Sequence, residues 1–312
     1  MLTPVVLIVF NRPDFTRRVL ERIRYAKPAS LFIVADGPRE SHPDDVARVA
    51  AVREIVESGI DWPCEVRRNY ASGNLGCMDR VRTGLDWVFG ITERAVILED
   101  DCLPDLGFFA FCHELLEKYR DEAQIMSIGG TNFIAPYYPT TYSYWFSHHP
   151  WTWGWATWRR AWLNNDFEMT CWESRQDTLR DSFGTTWERQ YWISTFEQAR
   201  RDLRAANCWD FQWNFTCRSL GGVSIVPRYN MVENLGFVDD ATHKFGDMSR
   251  FALPTKSLFP VNHPPSTRVD PYADDLWTRI YSGVPLTPWH NLKSRMRVLR
   301  DRCSRGLLGS AA

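Results

Sequence analysis

Three consecutive carboxylates, Glu99, Asp100 and Asp101, end an apolar run that begins at Ala95. An apolar run bounded by charge is typical of a parallel strand that is buried on both faces, and ligands in open α/β sheets bind just outside the carboxyl ends of such strands. Because neighbouring carboxylates repel one another, the triplet needs a cation, and Mg²⁺ or Mn²⁺ shared with substrate phosphates is a common one. The triplet therefore indicates a metal–diphosphate site.

The same acids have a second interpretation, as caps of the helix that the sequence predicts from Asp105 onward. Acidic side chains are favoured at helix N-termini, where they accept hydrogen bonds from backbone N–H groups and interact with the helix dipole. A short acidic string is a weak motif, so the triplet taken alone leaves both interpretations open.

Further charged residues follow the other predicted strands. Arg12 and Asp36 come at the ends of the first two strands, where an arginine suits a phosphate and a carboxylate suits a base edge. Ordinary turn chemistry is the alternative for Asp36, which is followed by Gly and Pro. Arg80 could bind phosphate or pair with Asp79 or Glu99.

Asp210 is the candidate catalytic base. It lies between Trp209 and Trp213, and a partly apolar setting raises the pKa of a carboxyl group enough for it to accept a proton from a hydroxyl. The two indoles could also form a platform for an acceptor sugar, whereas the alternative is that Asp210 caps a helix. The other candidate bases are Asp166, Glu233, Asp239 and Asp240.

Two histidine features are open to more than one interpretation. His243 could close over the diphosphate or ligate the metal, although a single histidine can equally be structural. His148 and His149 precede a tryptophan-rich segment at 151–155, which could line a sugar pocket or pack in the core.

The elements that must position these residues alternate regularly over the first 130 residues. Strands are predicted at 4–10, 31–35, 64–67, 95–98 and 124–128, and helices at 15–23, 44–58, 77–89 and 105–119. This alternation predicts an α/β fold with a mostly parallel sheet flanked by helices. Beyond it, an aromatic stretch at 137–172 precedes helices at 185–206 and 209–220 and a strand at 223–226.

Composition excludes some classes of function. The formal net charge of −1 disfavours nucleic acid as a partner, and eight cysteines without a Cys-x-x-Cys pair disfavour a zinc site or a disulfide framework. Fifteen tryptophans suit the faces of sugar rings or a large core.

With no charged leader and no apolar run long enough to cross a bilayer, a cytoplasmic protein is expected.

The C-terminal tail is basic. Lys293, Arg295, Arg297, Arg300, Arg302 and Arg305 alternate there with apolar residues. Such a helix can lie on an anionic membrane, which would place the protein peripherally at the inner face, or it can be a solvated terminal helix.

In this order, the segments resemble those of GT-A nucleotide-sugar glycosyltransferases, and are similar to the inverting N-acetylglucosaminyltransferase I family and related bacterial GT-A proteins. The motifs that carry the resemblance are Asn11-Arg12-Pro13, Asp36, Asn74-Leu75-Gly76, Asp79-Arg80 and Ile97-Leu98-Glu99-Asp100-Asp101. The match covers about the first 130 residues and thins beyond them. One departure is Phe211, which follows Asp210 where the family has a second acid that is its base.

The resemblance implies a role for each matching residue. Asp101 would be the metal ligand together with His243, and Asp210 the base. The donor nucleotide would be bound by Asn11, Arg12, Asp36, Arg80, Glu99 and Asp100, with Asp100 near the ribose. Residues 1–130 would form the nucleotide-sugar half, 131–245 the acceptor and catalytic half, and 246–312 a tail.

The implied activity is metal-dependent, inverting transfer of a hexose or N-acetylhexosamine from a nucleoside-diphosphate donor, with a UDP-sugar favoured. The acceptor would be a hydroxyl of a glycan or glycolipid, as in the synthesis of a cell-surface glycan. A nucleotidyltransferase is the first alternative, but it needs a Gly-rich N-terminal loop and Asn11-Arg12-Pro13 contains no glycine. A non-catalytic binder of nucleotides or carbohydrates is the second.

Overall fold

The computed structural model describes residues 3–203, 208–236 and 251–309, and for 298 and 300–309 it describes the backbone alone. The strands are β1 (Val5–Val9), β2 (Ser30–Ala35), β3 (Glu65–Tyr70), β4 (Arg94–Glu99), β5 (Cys102–Pro104), β6 (Ile125–Gly129), β7 (Tyr144–Ser147), β8 (Trp155–Trp158), β9 (Val223–Pro227) and β10 (Val232–Asn234). The helices are α1 (Pro13–Ala26), α2 (Asp44–Ser58), α3 (Gly76–Ile91), α4 (Leu106–Lys118), α5 (Arg159–Trp162), α6 (Gln176–Asp181), α7 (Thr186–Arg201), α8 (Asp210–Ser219), α9 (Pro271–Ser282) and α10 (Pro288–Gly309).

Eight strands form one sheet in the order β3-β2-β1-β4-β8-β6-β9-β7. The four strands from β3 to β4 are mutually parallel, and so are β6 and β9, whereas β8 runs antiparallel to both of its neighbours and β7 runs antiparallel to β9. The predicted α/β fold with a mostly parallel sheet flanked by helices is confirmed.

Strand β1 shows why this sequence builds a sheet covered on both faces. All five of its residues are buried, because successive side chains point to opposite faces and each face meets a helix. Leu7 packs in one cluster with Leu20 of α1, and Val6 packs in another with Leu85 of α3. Each such side chain contributes about 1.5–3 kcal/mol when it is fully buried.

The register of the sheet fixes which residues share an edge. Ile8 of β1 pairs with Glu99 at the end of β4, and Val9 pairs with Ala35 at the end of β2. The residues that follow these three parallel strands therefore lie along one edge of the sheet. This is the carboxyl edge, where the sequence places most of its candidate donor-binding residues.

The aromatic stretch contributes two strands that the sequence pattern did not indicate, β7 and β8. Strand β8 lies between the two parallel groups of strands, and Ile97 of β4 pairs with its first residue, Trp155. Beyond the sheet, α7, α8 and α9 bury a third cluster rich in aromatic side chains, including Trp192, Phe215 and Trp277. The aromatic-rich half is therefore mostly a packed core.

Among the described helices, none combines the length and the apolar character that a transmembrane span requires. The seven described cysteines are free thiols.

Candidate active site

The carboxyl edge brings Arg12 onto the acid triplet. Its Nη1 donates to Asp101 Oδ2 at 2.9 Å and lies 3.4 Å from Asp100 Oδ1. Asp100 also accepts a hydrogen bond from the backbone N–H of Phe10 at 3.1 Å, which fixes its side chain against the end of β1. The side chain of Asp101 is 17% exposed and that of Asp100 is 9% exposed, so Asp101 is the more accessible of the two.

Among the described residues, this cluster contains more acidic than basic side chains. Burial and the neighbouring carboxylate of Asp101 raise the pKa of Glu99 well above its usual range, and the same two causes raise the pKa of Asp100 to about 7. Burial lowers the pKa of Arg12, but Asp100 and Asp101 outweigh it and hold that pKa above its ordinary value. Within the described part of the chain, the guanidinium of Arg12 faces these three acids, which form an oxygen-rich donor set that suits a hard divalent cation.

The structure tests the interpretation of the triplet as a helix cap. Helix α4 is capped by Asp105, whose side chain accepts a hydrogen bond from the backbone N–H of Gly107 at 2.8 Å. Asp100 and Asp101 instead point toward Arg12. The cap interpretation of the triplet is therefore wrong.

Asp210 joins the same region from the second half of the chain. It is half-buried as the first residue of α8, whose N-cap is Trp209, so Asp210 is not itself the cap. Beside burial, its charge contributes to the raised pKa values of both Glu99 and Cys77. The structure thus brings the candidate base close to the acid triplet.

The predicted tryptophan platform beside Asp210 is wrong. Trp209 is 4% exposed and Trp213 is fully buried, and both rings pack against Trp155 with centroids 5.6 Å away. These indoles belong to the buried core next to Asp210. Their large apolar area stabilises the core instead of presenting a face to a sugar.

The other described candidate bases lie in different surroundings. Asp166 accepts hydrogen bonds from the backbone N–H groups of Thr170 and Cys171, which is typical of a turn. Glu233 is exposed on β10.

The segment after β10 begins beside the acid triplet. Leu235 donates its backbone N–H to the carbonyl oxygen of Asp101 at 2.7 Å. A Cβ atom at Gly236 would lie 2.6 Å from Asp101 Oδ2, so only glycine allows this approach without a shift. His243, Asp239 and Asp240 follow in sequence but lie outside the described residues.

Asp36 and Arg80 have structural partners. Both carboxylate oxygens of Asp36 accept two hydrogen bonds each, from the backbone of Gly37, Leu75 and Gly76 and from the side chain of Asn74. Because a carboxylate has about four acceptor positions, this geometry supports the turn interpretation of Asp36 over a contact with a base.

Arg80 is only 4% exposed, and its Nη2 donates to the backbone and side-chain oxygens of Asn69 at 3.1 and 3.0 Å. Arg80 thus contacts Asn69 instead of forming the predicted ion pair with Asp79 or Glu99. Its deep burial at α3 also argues against a role at an open phosphate site.

Sequence reasoning missed a cation at the same edge. Asn11 donates its side-chain N–H to Asp45 Oδ1 at 2.7 Å, and Arg39 Nε donates to Asp45 Oδ2 at 2.6 Å. The guanidinium of Arg39 also lies 5.3 Å from the ring centroid of Phe10. The hydrogen bond from Arg39 is the largest cause that lowers the pKa of Asp45. The only sequence signal was the position of Arg39 three residues after Asp36.

A second group of potential metal ligands lies deep in the aromatic half. Ligand atoms of His149, Glu188 and Asp274 lie within 4.8 Å of one another, a spacing that a metal ion could bridge. However, Arg218 Nη2 already lies 2.9 Å from a ring nitrogen of His149 and 3.3 Å from Glu188 Oε1. Ser147 donates to Asp274 at 2.6 Å. Because the guanidinium of Arg218 is bonded to two of these three side chains, the group is a buried ion-pair cluster.

His149 belongs to this buried cluster and not to a sugar pocket. Its ring stacks on Trp277 with centroids 4.3 Å apart, and burial with the charge of Arg218 lowers its pKa well below the usual range. The core interpretation of this segment is therefore correct for His149, while Trp151 and Trp153 are half-buried and pack against the same aromatic cluster.

No protein-family model matches this chain, and no curated protein matches it. Among solved structures, UDP-glucose pyrophosphorylase with UDP-glucose is 12% identical, with a TM-score of 0.26 over 48% of this chain and 64% of that chain. The apo form of a UDP-glucose pyrophosphorylase is also 12% identical, with a TM-score of 0.28 over 49% of this chain and 65% of that chain. The chain therefore spans less than two thirds of these two structures.

Mouse xyloside xylosyltransferase 1 in its apo form is also 12% identical, with a TM-score of 0.35 over 70% of this chain and 82% of that chain. Structural similarities with TM-scores this low do not indicate a function. None of these three structures supports the narrower resemblance to N-acetylglucosaminyltransferase I.

Proposed function

We propose that this protein is a metal-dependent glycosyltransferase that moves a sugar from a nucleoside-diphosphate donor, with a UDP-sugar favoured, to a hydroxyl group of a glycan or glycolipid. One observation carries the proposal: Glu99, Asp100 and Asp101 meet Arg12 at the carboxyl edge of the sheet, with Asp210 close by. This is where open α/β sheets bind their ligands.

The residues present fit Mg²⁺ or Mn²⁺. Asp101 is the best placed ligand, because it is the more exposed acid of the pair and borders the segment after β10. When bound, the cation supplies positive charge that offsets the charge developing on the leaving diphosphate. Arg12 would turn from the acids toward the phosphates, since carboxylate and phosphate oxygens present similar acceptors to a guanidinium.

Asp210 has the role of base. Its carboxylate would accept the proton of the acceptor hydroxyl as the bond between that oxygen and the anomeric carbon forms. The bond from the anomeric carbon to the diphosphate breaks on the opposite face of the sugar, and the leaving diphosphate retains the electron pair. This single displacement inverts the anomeric centre and needs no nucleophile from the protein.

The two halves of the sheet would bind different substrates. Asn11, Glu99 and Asp100 at the ends of β1 and β4 would contact the nucleotide, while residues 131–245 would bind the acceptor. Arg39, held beside Asn11 by Asp45, would lie on the nucleotide side. Asp36 and Arg80 would support the nearby loops instead of touching the donor.

A panel of nucleotide sugars tests this function. We expect Mn²⁺ to stimulate the release of nucleoside diphosphate from one donor by about 100-fold or more over a chelator-treated sample, because a cation at the diphosphate stabilises developing charge by several kcal/mol. Chromatography of the nucleotides measures this release.

Formation of a nucleoside triphosphate after addition of pyrophosphate would instead identify a nucleotidyltransferase. Metal-dependent nucleotide binding without turnover of any donor and acceptor would identify a binding protein.

A further inference from the structure

Helix α10 has its apolar side facing outward. Trp289, Leu292, Met296 and Leu299 are 62%, 52%, 61% and 60% exposed. Their spacing of three and four residues places all four on one face of a helix, where they form a continuous stripe, here called the α10 stripe. An apolar stripe on an amphipathic helix normally faces the core, so this orientation is unusual.

The side of α10 that faces the protein is polar. His290 and Ser294 are buried, and His290 Nε2 lies 2.6 Å from Asp275 Oδ2 while Ser294 Oγ lies 2.9 Å from the hydroxyl of Tyr272. Arg297 adds a bond of 2.7 Å to Asp270. These contacts to α9 and its N-cap fix the rotation of the helix. The α10 stripe is therefore held outward by polar bonds on the opposite face.

The sequence of α10 has basic residues at the heptad positions next to those of the α10 stripe. With Trp289 and Leu292 as positions a and d of a heptad, the flanking positions e and g are Lys293 and Arg295 in the first repeat. Arg295 is exposed, whereas Lys293 Nζ lies 4.0 Å from the ring centroid of Tyr272. In the second repeat they are Arg300 and Arg302. Because the whole chain carries a formal net charge of −1, this concentration of positive charge is local.

This charge pattern argues against a second copy of the chain as the partner of α10. A coiled-coil pair would bury two stripes, but its flanking e and g positions would oppose cations with cations. Like charges at such positions destabilise helix pairs and select against them. An anionic surface, in contrast, attracts cations at these positions without opposing them to one another.

We propose that α10 lies flat on an anionic lipid bilayer, with the α10 stripe inserted at the boundary between headgroups and acyl chains and the flanking cations on lipid phosphates. Trp289 suits this depth, because an indole places an apolar ring and a polar N–H on either side of that boundary. The helix of 22 residues lies along the surface, since its polar face is bonded to the protein. This inference does not depend on the proposed catalysis.

Sedimentation with lipid vesicles tests the proposal. We expect the protein to bind phosphatidylcholine vesicles that contain about one third phosphatidylglycerol at least about tenfold more tightly than pure phosphatidylcholine vesicles. The double variant Leu292→Ser, Met296→Ser should lose this binding. The matched control Leu163→Ser, which removes an equally exposed leucine (71%) from the end of α5, should retain it.

Two further measurements separate the possible partners. Arg295→Gln should weaken binding to the anionic vesicles without changing the residual binding to neutral ones, because it removes a cation and leaves the α10 stripe in place. Equal sedimentation of the double variant and the unmodified protein would overturn the proposal. A second result would also overturn it: the unmodified protein is a dimer by light scattering and does not bind vesicles, and the double variant loses the dimer.

Discussion

Replacement of Asp210 by Asn is expected to lower the rate of sugar transfer by about 10²- to 10⁴-fold, the usual contribution of a general base. Asn has the same shape as Asp but cannot accept the proton, and the residue lies at the start of α8, where Asn is a common residue. Donor binding should persist, because the triplet and Arg12 are unchanged. Transfer assays and calorimetry with the nucleoside diphosphate measure the two effects separately.

Glu233→Gln is the matched comparison for this variant. Glu233 is an exposed acid on β10, and its amide variant should retain transfer within about threefold because no proton passes through it. If Glu233→Gln abolished transfer while Asp210→Asn left it intact, the base would lie on β10 and our assignment would be wrong.

Replacement of Arg218 by Met is expected to reduce the free energy of unfolding by about 3–5 kcal/mol, the cost of removing one partner from a buried ion pair. Arg218 is fully buried, bonded to Glu188 and His149, and lies over the ring of Phe183 at 4.6 Å. Met fills a similar volume but leaves the carboxylate of Glu188 without a cation. Urea unfolding measures the loss.

Two controls show whether charge is the cause. The double variant Arg218→Met, Glu188→Leu should recover part of the stability, because the carboxylate of Glu188 is removed with its cation while Asp274 keeps its hydrogen bonds from Ser147 and His148. Arg180→Met removes an exposed cation paired with Asp177 and should change stability by less than about 0.5 kcal/mol. An Arg218→Met protein as stable as the unmodified one would contradict the ion-pair interpretation and leave room for a metal among these ligands.

The first 130 residues could be predicted closely because their signals are local. Apolar runs and helical periodicity indicate strands and helices directly, and helix α2 begins and ends at Asp44 and Ser58 as predicted. Strands β7 and β8 have only four residues each within an aromatic stretch, too few to show a period of two. Their antiparallel pairing depends on distant partners that no local pattern reveals.

Helix α9 was missed although its start carried a usable signal. Asp270 caps it by accepting a hydrogen bond from Tyr272, and Pro271 occupies the first helical position. An Asp followed by Pro at this position is a recognised helix start. The apolar residues of α9 were obscured by the proline-rich sequence around it.

The candidate site was predictable where it depended on strand direction alone. The triplet, Arg12 and Asn11 follow parallel strands and therefore share an edge, as the sequence indicated. The surroundings of Asp36 depend on the loop at 74–76, which returns to donate three hydrogen bonds. Likewise, the cluster around Arg218 joins residues from four separate segments, so its composition carried no sequence signal.

The most direct test of the metal–diphosphate site is calorimetric titration of UDP, with and without Mn²⁺, into the unmodified protein and the Asp101→Asn variant. We predict that Mn²⁺ strengthens UDP binding to the unmodified protein by at least about tenfold and that Asp101→Asn removes this effect. Asp105→Asn, which removes an acid four residues away and preserves the cap of α4, should behave like the unmodified protein. Mn²⁺-dependent binding of equal strength in Asp101→Asn would contradict the assignment of the acid triplet as the site.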